Sequence, residues 1–218
     1  RGGQWQRALL LISKMRTASV PPNIISFSAA ISACEKSGQW RSALTLLNDM
    51  NIADVAPNVI TFNAAISACE KGGEWHSALS LLDRMNAAGV TPDVITFNAA
   101  ISACEKSRQW QHAMSLLDET HARDVTLDEI SLSAAISACK KGNQWQQALL
   151  LLDKMHTVAV MPDAFVFNSA ISACEKGGQW QRALRFLGQM HAAGVAPDLI
   201  SFSATVSACE KSGQWQQS

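Results

Sequence analysis

Tryptophan stands at residues 5, 40, 75, 110, 145, 180 and 215, a spacing of 35 that never slips, and these seven are every tryptophan in the chain. A feature that recurs at a fixed interval of this length marks one supersecondary unit copied along the polypeptide. Cysteine keeps the same step, at 34, 69, 104, 139, 174 and 209. The 218 residues therefore divide into repeats before any division into globular domains is considered.

Framed from Ile24, complete repeats run 24–58, 59–93, 94–128, 129–163 and 164–198, with partial repeats 1–23 and 199–218, in a single array over 1–218. In the repeat that starts at Val59, Val59, Phe62, Ile66 and Cys69 follow one another at three- and four-residue steps, one face of an amphipathic helix. Lys71-Gly72-Gly73-Glu74 ends it, because glycine takes a positive φ after a helix at little cost. From Trp75 to Met85 a second helix places Trp75, Ala78, Leu79, Leu82 and Met85 opposite Ser77, Ser80, Asp83 and Arg84. Ala88-Gly89-Val90-Thr91-Pro92-Asp93 closes the unit, since proline cannot continue a helix and pushes its predecessor extended. Each helix has about 13 residues and is roughly 20 Å long.

Alanine pairs such as Ala29-Ala30, Ala64-Ala65, Ala99-Ala100 and Ala134-Ala135 let neighbouring first helices approach closely. One helix pair cannot bury its apolar stripe alone, so its stability must come from the pairs on either side. The expected fold is all-α, a right-handed α-solenoid of stacked helix-turn-helix pairs. The chain begins inside a turn at Arg1 and stops at Gln214-Trp215-Gln216-Gln217-Ser218 without a polar capping helix, which reads as a segment of a longer array.

Composition removes several classes of function. Lys+Arg and Asp+Glu balance at 18 each, so no overall field draws in nucleic acid or an anionic membrane, and any such attraction must come from a local stripe. No apolar run approaches the roughly 20 residues that cross a bilayer, and no membrane insertion is expected. Helices stacked about 8–10 Å apart exceed the ~7 Å that a disulfide spans between Cα atoms, so the six cysteines are expected buried and reduced, in a reducing compartment. The same separation stops His121, His156 and His191 from sharing one metal ion with ligands near ~2 Å. Glu35, Glu70, Glu105, Glu175 and Glu210 are serial equivalents interrupted by Lys140, and do not converge as an acid–base pair. With no nucleophile motif or phosphate loop, the expectation is no enzyme, no cofactor, no metal and no small-molecule substrate.

Val59-Ile60-Thr61-Phe62-Asn63, Lys71-Gly72-Gly73, Ala78-Leu79, Met85 and Gly89-Val90-Thr91-Pro92-Asp93 resemble, in order, the opening, turn, second-helix core, helix end and close of a pentatricopeptide repeat. That family's 35-residue helix-turn-helix module builds organellar RNA-binding proteins. The likeness covers the whole chain, and the 34-residue tetratricopeptide unit differs in both length and motif placement. Tryptophan replaces the family's aliphatic residue at the start of the second helix, which reads as a bulkier core. Leu127 stands where Pro57, Pro92, Pro162 and Pro197 stand, Thr120 replaces a Met85-type residue and Arg108 a Gly73-type glycine. All three fall in the repeat from Val94, which is expected to be looser.

The resemblance implies single-stranded RNA as partner, read one base per repeat, in a mitochondrion or chloroplast, with the targeting segment not in this chain. In the family the fifth and thirty-fifth residues bracket a base. Here the fifth column reads Ser28, Asn63, Asn98, Ser133, Asn168 and Ser203, and the thirty-fifth Asn23, Asn58, Asp93, Asp128, Asp163 and Asp198. Ionised aspartate only accepts hydrogen bonds and suits a base with a ring N–H, uracil or guanine, whereas asparagine also donates and suits adenine or cytosine. Serine leaves room for a purine, and asparagine reaches a pyrimidine. The five complete repeats then specify 5′-AUUGU-3′, amino end to 5′ end by the family's polarity.

Two further columns belong with this resemblance. Ile25, Ile60, Ile95, Ile130, Phe165 and Ile200 match the residue that wedges between bases, with plain helix core as the competing reading. Lys36, Lys71, Lys106, Lys141, Lys176 and Lys211, with Arg1 in register, would set one cation against one phosphate per repeat. A cation at each helix C-terminus is also favourable by itself. Two rival roles stay open. One is a helical scaffold that grips protein partners in a larger assembly, and the other is the targeting half of an editing factor.

Overall fold

The computed structural model describes residues 4–213; Arg1 of the basic column and Trp215 lie outside the described residues. Among these the chain is helical and has no strand. The elements are α1 (Gln4–Thr17), α2 (Ile24–Lys36), α3 (Trp40–Ile52), α4 (Val59–Gly72), α5 (Trp75–Ala87), α6 (Val94–Lys106), α7 (Trp110–Ala122), α8 (Glu129–Lys141), α9 (Trp145–Thr157), α10 (Ala164–Lys176), α11 (Trp180–Ala192) and α12 (Leu199–Lys211). Each repeat contributes a first and a second helix of 13 or 14 residues, as its periodicity predicts.

Two compact units result, Arg1–Ser107 and Arg108–Ser218. In the first, α2, α4 and α6 pack against one another in sequence, α3 bridges α2 and α4, and α5 bridges α4 and α6. In the second, α8, α10 and α12 form the equivalent row, bridged by α9 and α11. The all-α helix-pair solenoid expected from the repeat is the fold observed. Phe62, Ile66 and Cys69, with their counterparts Phe97, Ile101 and Cys104 or Phe167, Ile171 and Cys174, are buried along the first helices. Ala30, Ala65, Ala100, Ala135 and Ala170 are buried too, where first helix meets first helix. On the second helices the buried set is Ala78, Leu81, Leu82 and Met85. Leu81 thus takes the place expected of Leu79, which is only half-buried, because the helix is covered by its own partner and by the next repeat across a wider arc.

Both turns of the repeat close in the same way. The Glu74 N–H donates to the Cys69 carbonyl at 2.9 Å and the Val90 N–H to the Met85 carbonyl at 3.0 Å, each around one left-handed residue. Gly73 at φ 71° and Gly89 at φ 69° serve those positions. Arg108 occupies the first of them at φ 60°, a conformation that costs a residue with a Cβ roughly 1–2 kcal/mol. The repeat from Val94 keeps a full-length α7, and Thr120 is buried and donates to the Leu116 carbonyl; Asn143 takes the same left-handed place as Arg108 in the repeat that follows. Arg108→Gly is expected to raise stability by about 1 kcal/mol in urea denaturation.

The described tryptophans are half-buried and not fully enclosed in the core. Trp40, Trp110 and Trp145 are half-buried, each lying over a glycine of the following repeat, respectively Gly72, Gly142 and Gly177. A Cβ on Gly72 would lie 2.3 Å from Trp40 Cδ1, and the other two pairs are as close, at 2.4 Å. None of these three glycines has a positive φ. They are required for the close approach of an indole to backbone.

Candidate nucleic-acid interface

The first turn of every first helix starts from a capping residue, and that residue is the thirty-fifth of the preceding repeat. Asn23, Asn58, Asp93, Asp128, Asp163 and Asp198 are all N-caps in extended backbone, each accepting the N–H three residues on. At Asn58, Asp93, Asp128 and Asp198 the hydroxyl at that third position accepts the cap's own N–H in return, completing a capping box. Val166 has no hydroxyl, so Asp163 lacks this return bond. Asn and Asp are favoured N-caps on any helix, which gives this column a structural reason for its narrow menu that sequence reasoning missed. The signal was present in the Asx-x-x-Ser/Thr spacing.

Two residues beyond each cap, Ile25, Ile60, Ile95, Ile130, Phe165 and Ile200 project outward, 52 to 74% exposed. They are not helix core. One large apolar side chain per repeat is thus left in water beside a polar cap, whereas the next residues but one, Phe27, Phe62, Phe97 and Phe167, are fully packed.

The fifth column divides by residue type. Ser28 and Ser203 turn back onto their own helices, donating to the Ile24 and Leu199 carbonyls at 2.7 and 2.6 Å. Ser133 and Asn98 are half-buried. Asn63 and Asn168 reach across to the following repeat, and are only 9% and 7% exposed. Asn63 Nδ2 donates to the Asp93 carboxylate at 3.0 and 3.2 Å, and Asn168 Nδ2 to Asp198 at 3.1 Å from both oxygens. The fifth and thirty-fifth columns are therefore brought together in these two repeats, and asparagine stands behind the carboxylate. Burial pushes the Asp93 carboxyl up, but the Thr96 backbone N–H, the Asn63 amide and the Thr96 hydroxyl outweigh it and hold it below the usual carboxylate range. Asp198 is lowered as well, first by the Ser201 backbone N–H and then by the Ser201 hydroxyl and Asn168. Each presents an ionised acceptor at neutral pH.

The lysine column is exposed throughout, but much of its charge is already engaged. Lys71, Lys106 and Lys211 bridge back to Glu35, Glu70 and Glu175 of the preceding repeat at 2.5, 2.6 and 2.8 Å. The spacing of 36 between these partners was readable as one repeat plus one residue. Lys140 stands in the glutamate column, and there Lys176 donates to the Lys140 carbonyl at 3.2 Å instead of to a carboxylate. The described cysteines are buried, and burial pushes the Cys69, Cys104 and Cys139 thiols up to about 12, which leaves them unreactive. No cluster of His, Cys, Asp and Glu that could hold a metal occurs among the described residues. No described helix is long and apolar enough to cross a membrane.

Comparison with known proteins gives one consistent likeness. The family profile described as pentatricopeptide repeat domain matches residues 45–107, 115–177 and 150–212, and that of the single PPR repeat matches 25–54 and 95–125. Among solved structures, the pentatricopeptide repeat protein PPR10 from maize is 25% identical with a TM-score of 0.69, over 94% of this chain and 29% of that one. PPR10 in complex with an 18-nt psaJ RNA element is 18% identical with a TM-score of 0.56, over 100% and 37%. The PPR domain of Arabidopsis thaliana protein-only RNase P 1 in complex with tRNA is 14% identical with a TM-score of 0.71, over 86% and 95%. The chain thus spans about a third of the length of PPR10. No curated protein sequence matches it.

Proposed function

The chain belongs to the pentatricopeptide repeat family, and on that premise we propose that it binds single-stranded RNA along the first turns of its first helices, one base per repeat. The observation that carries this reading is the exposed apolar column, Ile25 to Ile200 at 35-residue steps. An aliphatic side chain left in water at the same place in every repeat gains by covering an apolar face, and base faces offer one to every repeat alike. A protein partner presents an irregular surface and would call for a varied column. The two neighbours solved with RNA share the fold.

In this reading the cap carboxylates Asp93, Asp128, Asp163 and Asp198 accept the ring N–H of uracil or guanine, and Asn58 pairs with adenine. Asn63 and Asn168 support their caps, and asparagine at the fifth place, Asn98 included, closes the site to pyrimidine size. Ser28 and Ser133 leave space for a purine. The order is 5′-AUUGU-3′, and the setting an organellar RNA whose processing, stability or translation depends on the bound protein. A salt-controlled titration of the chain with a labelled unstructured RNA carrying that pentamer tests the reading. Failure of both this RNA and its base-substituted versions to bind leaves the protein-scaffold role in its place.

The phosphate role of the lysines is graded by the same geometry. Lys71, Lys106 and Lys211 lie in pairs of zero net charge, so their pull on a phosphate is reduced, while Lys36, Lys141 and Lys176 complete the column. Lys176, which meets a carbonyl, is expected to contribute one full contact, worth ~0.7 in the slope of log affinity against log salt for a single strand. Lys176→Ala should lower that slope more than Lys71→Ala, measured as affinity from 50 to 200 mM salt.

A further inference from the structure

Behind the Asn63–Asp93 pair stands a third side chain from the next repeat. Thr96 Oγ1 lies 2.5 Å from Asn63 Oδ1 and 3.1 Å from the Asp93 backbone nitrogen, while the Thr96 N–H donates to Asp93 Oδ1 at 2.9 Å. The Thr96 hydroxyl accepts from the Asp93 N–H, and its single hydrogen is shared between the Asn63 carbonyl oxygen and Asp93 Oδ1, which lies 2.9 Å away. A closed ring results: Thr96 holds the oxygen end of the Asn63 amide, Asp93 holds the nitrogen end, and the Asp93 cap ties back to Thr96. The second unit repeats it with Ser201 Oγ 2.7 Å from Asn168 Oδ1 and the Asn168 amide on Asp198. The hydroxyls and both asparagines are buried or nearly so, so an amide turned end for end would set oxygen against carboxylate with no water to compensate.

Where the preceding fifth residue is a serine, the third position makes no such bond across the repeat boundary. Val166 follows the repeat whose fifth residue is Ser133. Thr61 faces Ser28, which bonds to Ile24, and there the Thr61 hydroxyl donates to the Asn58 carbonyl as an ordinary cap at 2.7 Å.

We propose that Thr96 and Ser201 are positioning residues for base selection, each fixing the asparagine amide of the preceding repeat so that its N–H side and the cap carboxylate together present donor and acceptor to a uracil. The proposal rests on the RNA reading above and deepens it. With the amide locked, one Asn63 N–H is spent on Asp93 and the other is available to a base carbonyl, while Asp93 keeps lone pairs for a ring N–H. Uracil offers that complement, and cytosine, with a bare ring nitrogen, does not. Loss of the hydroxyl leaves Asn63 Oδ1 without a donor in a buried place, the amide turns to find one, and the carboxylate loses its brace.

The test uses the full chain with an RNA carrying 5′-AUUGU-3′ and its counterpart with cytosine at the second nucleotide, which faces repeat 59–93. Thr96→Val is expected to remove most of a roughly fivefold U-over-C preference at that nucleotide, and Thr96→Ser to retain it. Thr61→Val removes a capping box of the same kind one repeat earlier and should leave that preference unchanged, with helical melting by circular dichroism confirming that each variant is folded. An unchanged preference in Thr96→Val, alongside a changed one in Asn63→Ser, overturns the positioning role and leaves base reading standing. An equal loss in Thr61→Val also overturns it, since cap loss alone would then suffice. If Asn63→Ser shifts nothing either, base reading by this repeat fails and the positioning role with it.

Discussion

Of two unstructured RNAs that differ only in carrying 5′-AUUGU-3′ or 5′-ACCGC-3′, the chain is expected to bind the first on the order of 100-fold more tightly. The argument is one of hydrogen-bond polarity. Uracil and cytosine have the same size, so neither Ile60 nor Ile95 nor Phe165 discriminates between them by contact. The ring nitrogen differs, an N–H donor in uracil and a bare lone pair in cytosine. Set against Asp93, Asp128 or Asp198, the first completes a charge-assisted bond and the second faces an anion. Asp93 and Asp198 are held ionised by their caps, so protonation offers no escape near neutral pH. A mismatch at the low end costs about 1 kcal/mol, and three together about 3 kcal/mol, a factor on the order of 100. Competition by fluorescence anisotropy at one fixed salt concentration measures the ratio. A ratio near one would remove the base assignment, whatever the absolute affinity.

The repeat, its helix boundaries and the family were legible because each rests on periodicity. Phe62, Ile66, Cys69 and Met85 recur at 35 and bury as their spacing requires. Side chains that answer to two demands were harder to read. The thirty-fifth column is Asn or Asp because it caps a helix, and capping would select those residues with or without RNA. Its restricted menu alone therefore does not point to a base. The exposure of Ile25, Ile60 and Ile95 separates surface from core, and only packing could show it, since an isoleucine one position along the helix reads equally well as either. The lysine column hid its partners for a different reason. Glu35 and Lys71 lie on successive repeats, and within one repeat each looks like an unpaired surface charge. Thr96 was passed over as part of a helix opening because its bond to Asn63 runs backwards across a repeat boundary.

Glycine at 72 is the same kind of case, and it carries the largest expected effect on stability. An alanine in place of a helical glycine ordinarily stabilises by roughly 0.5–1 kcal/mol, because the unfolded chain loses freedom. Gly188, inside α11 with open space around its Cα, should follow that rule, so Gly188→Ala is expected to stabilise. Gly72→Ala should do the reverse. Its Cβ would fall 2.3 Å from Trp40 Cδ1 and 3.1 Å from Cγ, contacts with the body of a rigid indole. Either Trp40 swings off the turn or α3 and α4 separate, and overpacking of this sort costs about 1–3 kcal/mol. Because a repeat array draws its stability from contacts between neighbours, that loss falls on the joint itself. Urea denaturation of the two variants should therefore give shifts of opposite sign from the same chemical change. Gly142→Ala and Gly177→Ala should each repeat the loss, against Trp110 and Trp145. If Gly72→Ala stabilises as Gly188→Ala does, the indole of Trp40 is free to move and the contact does not constrain the joint.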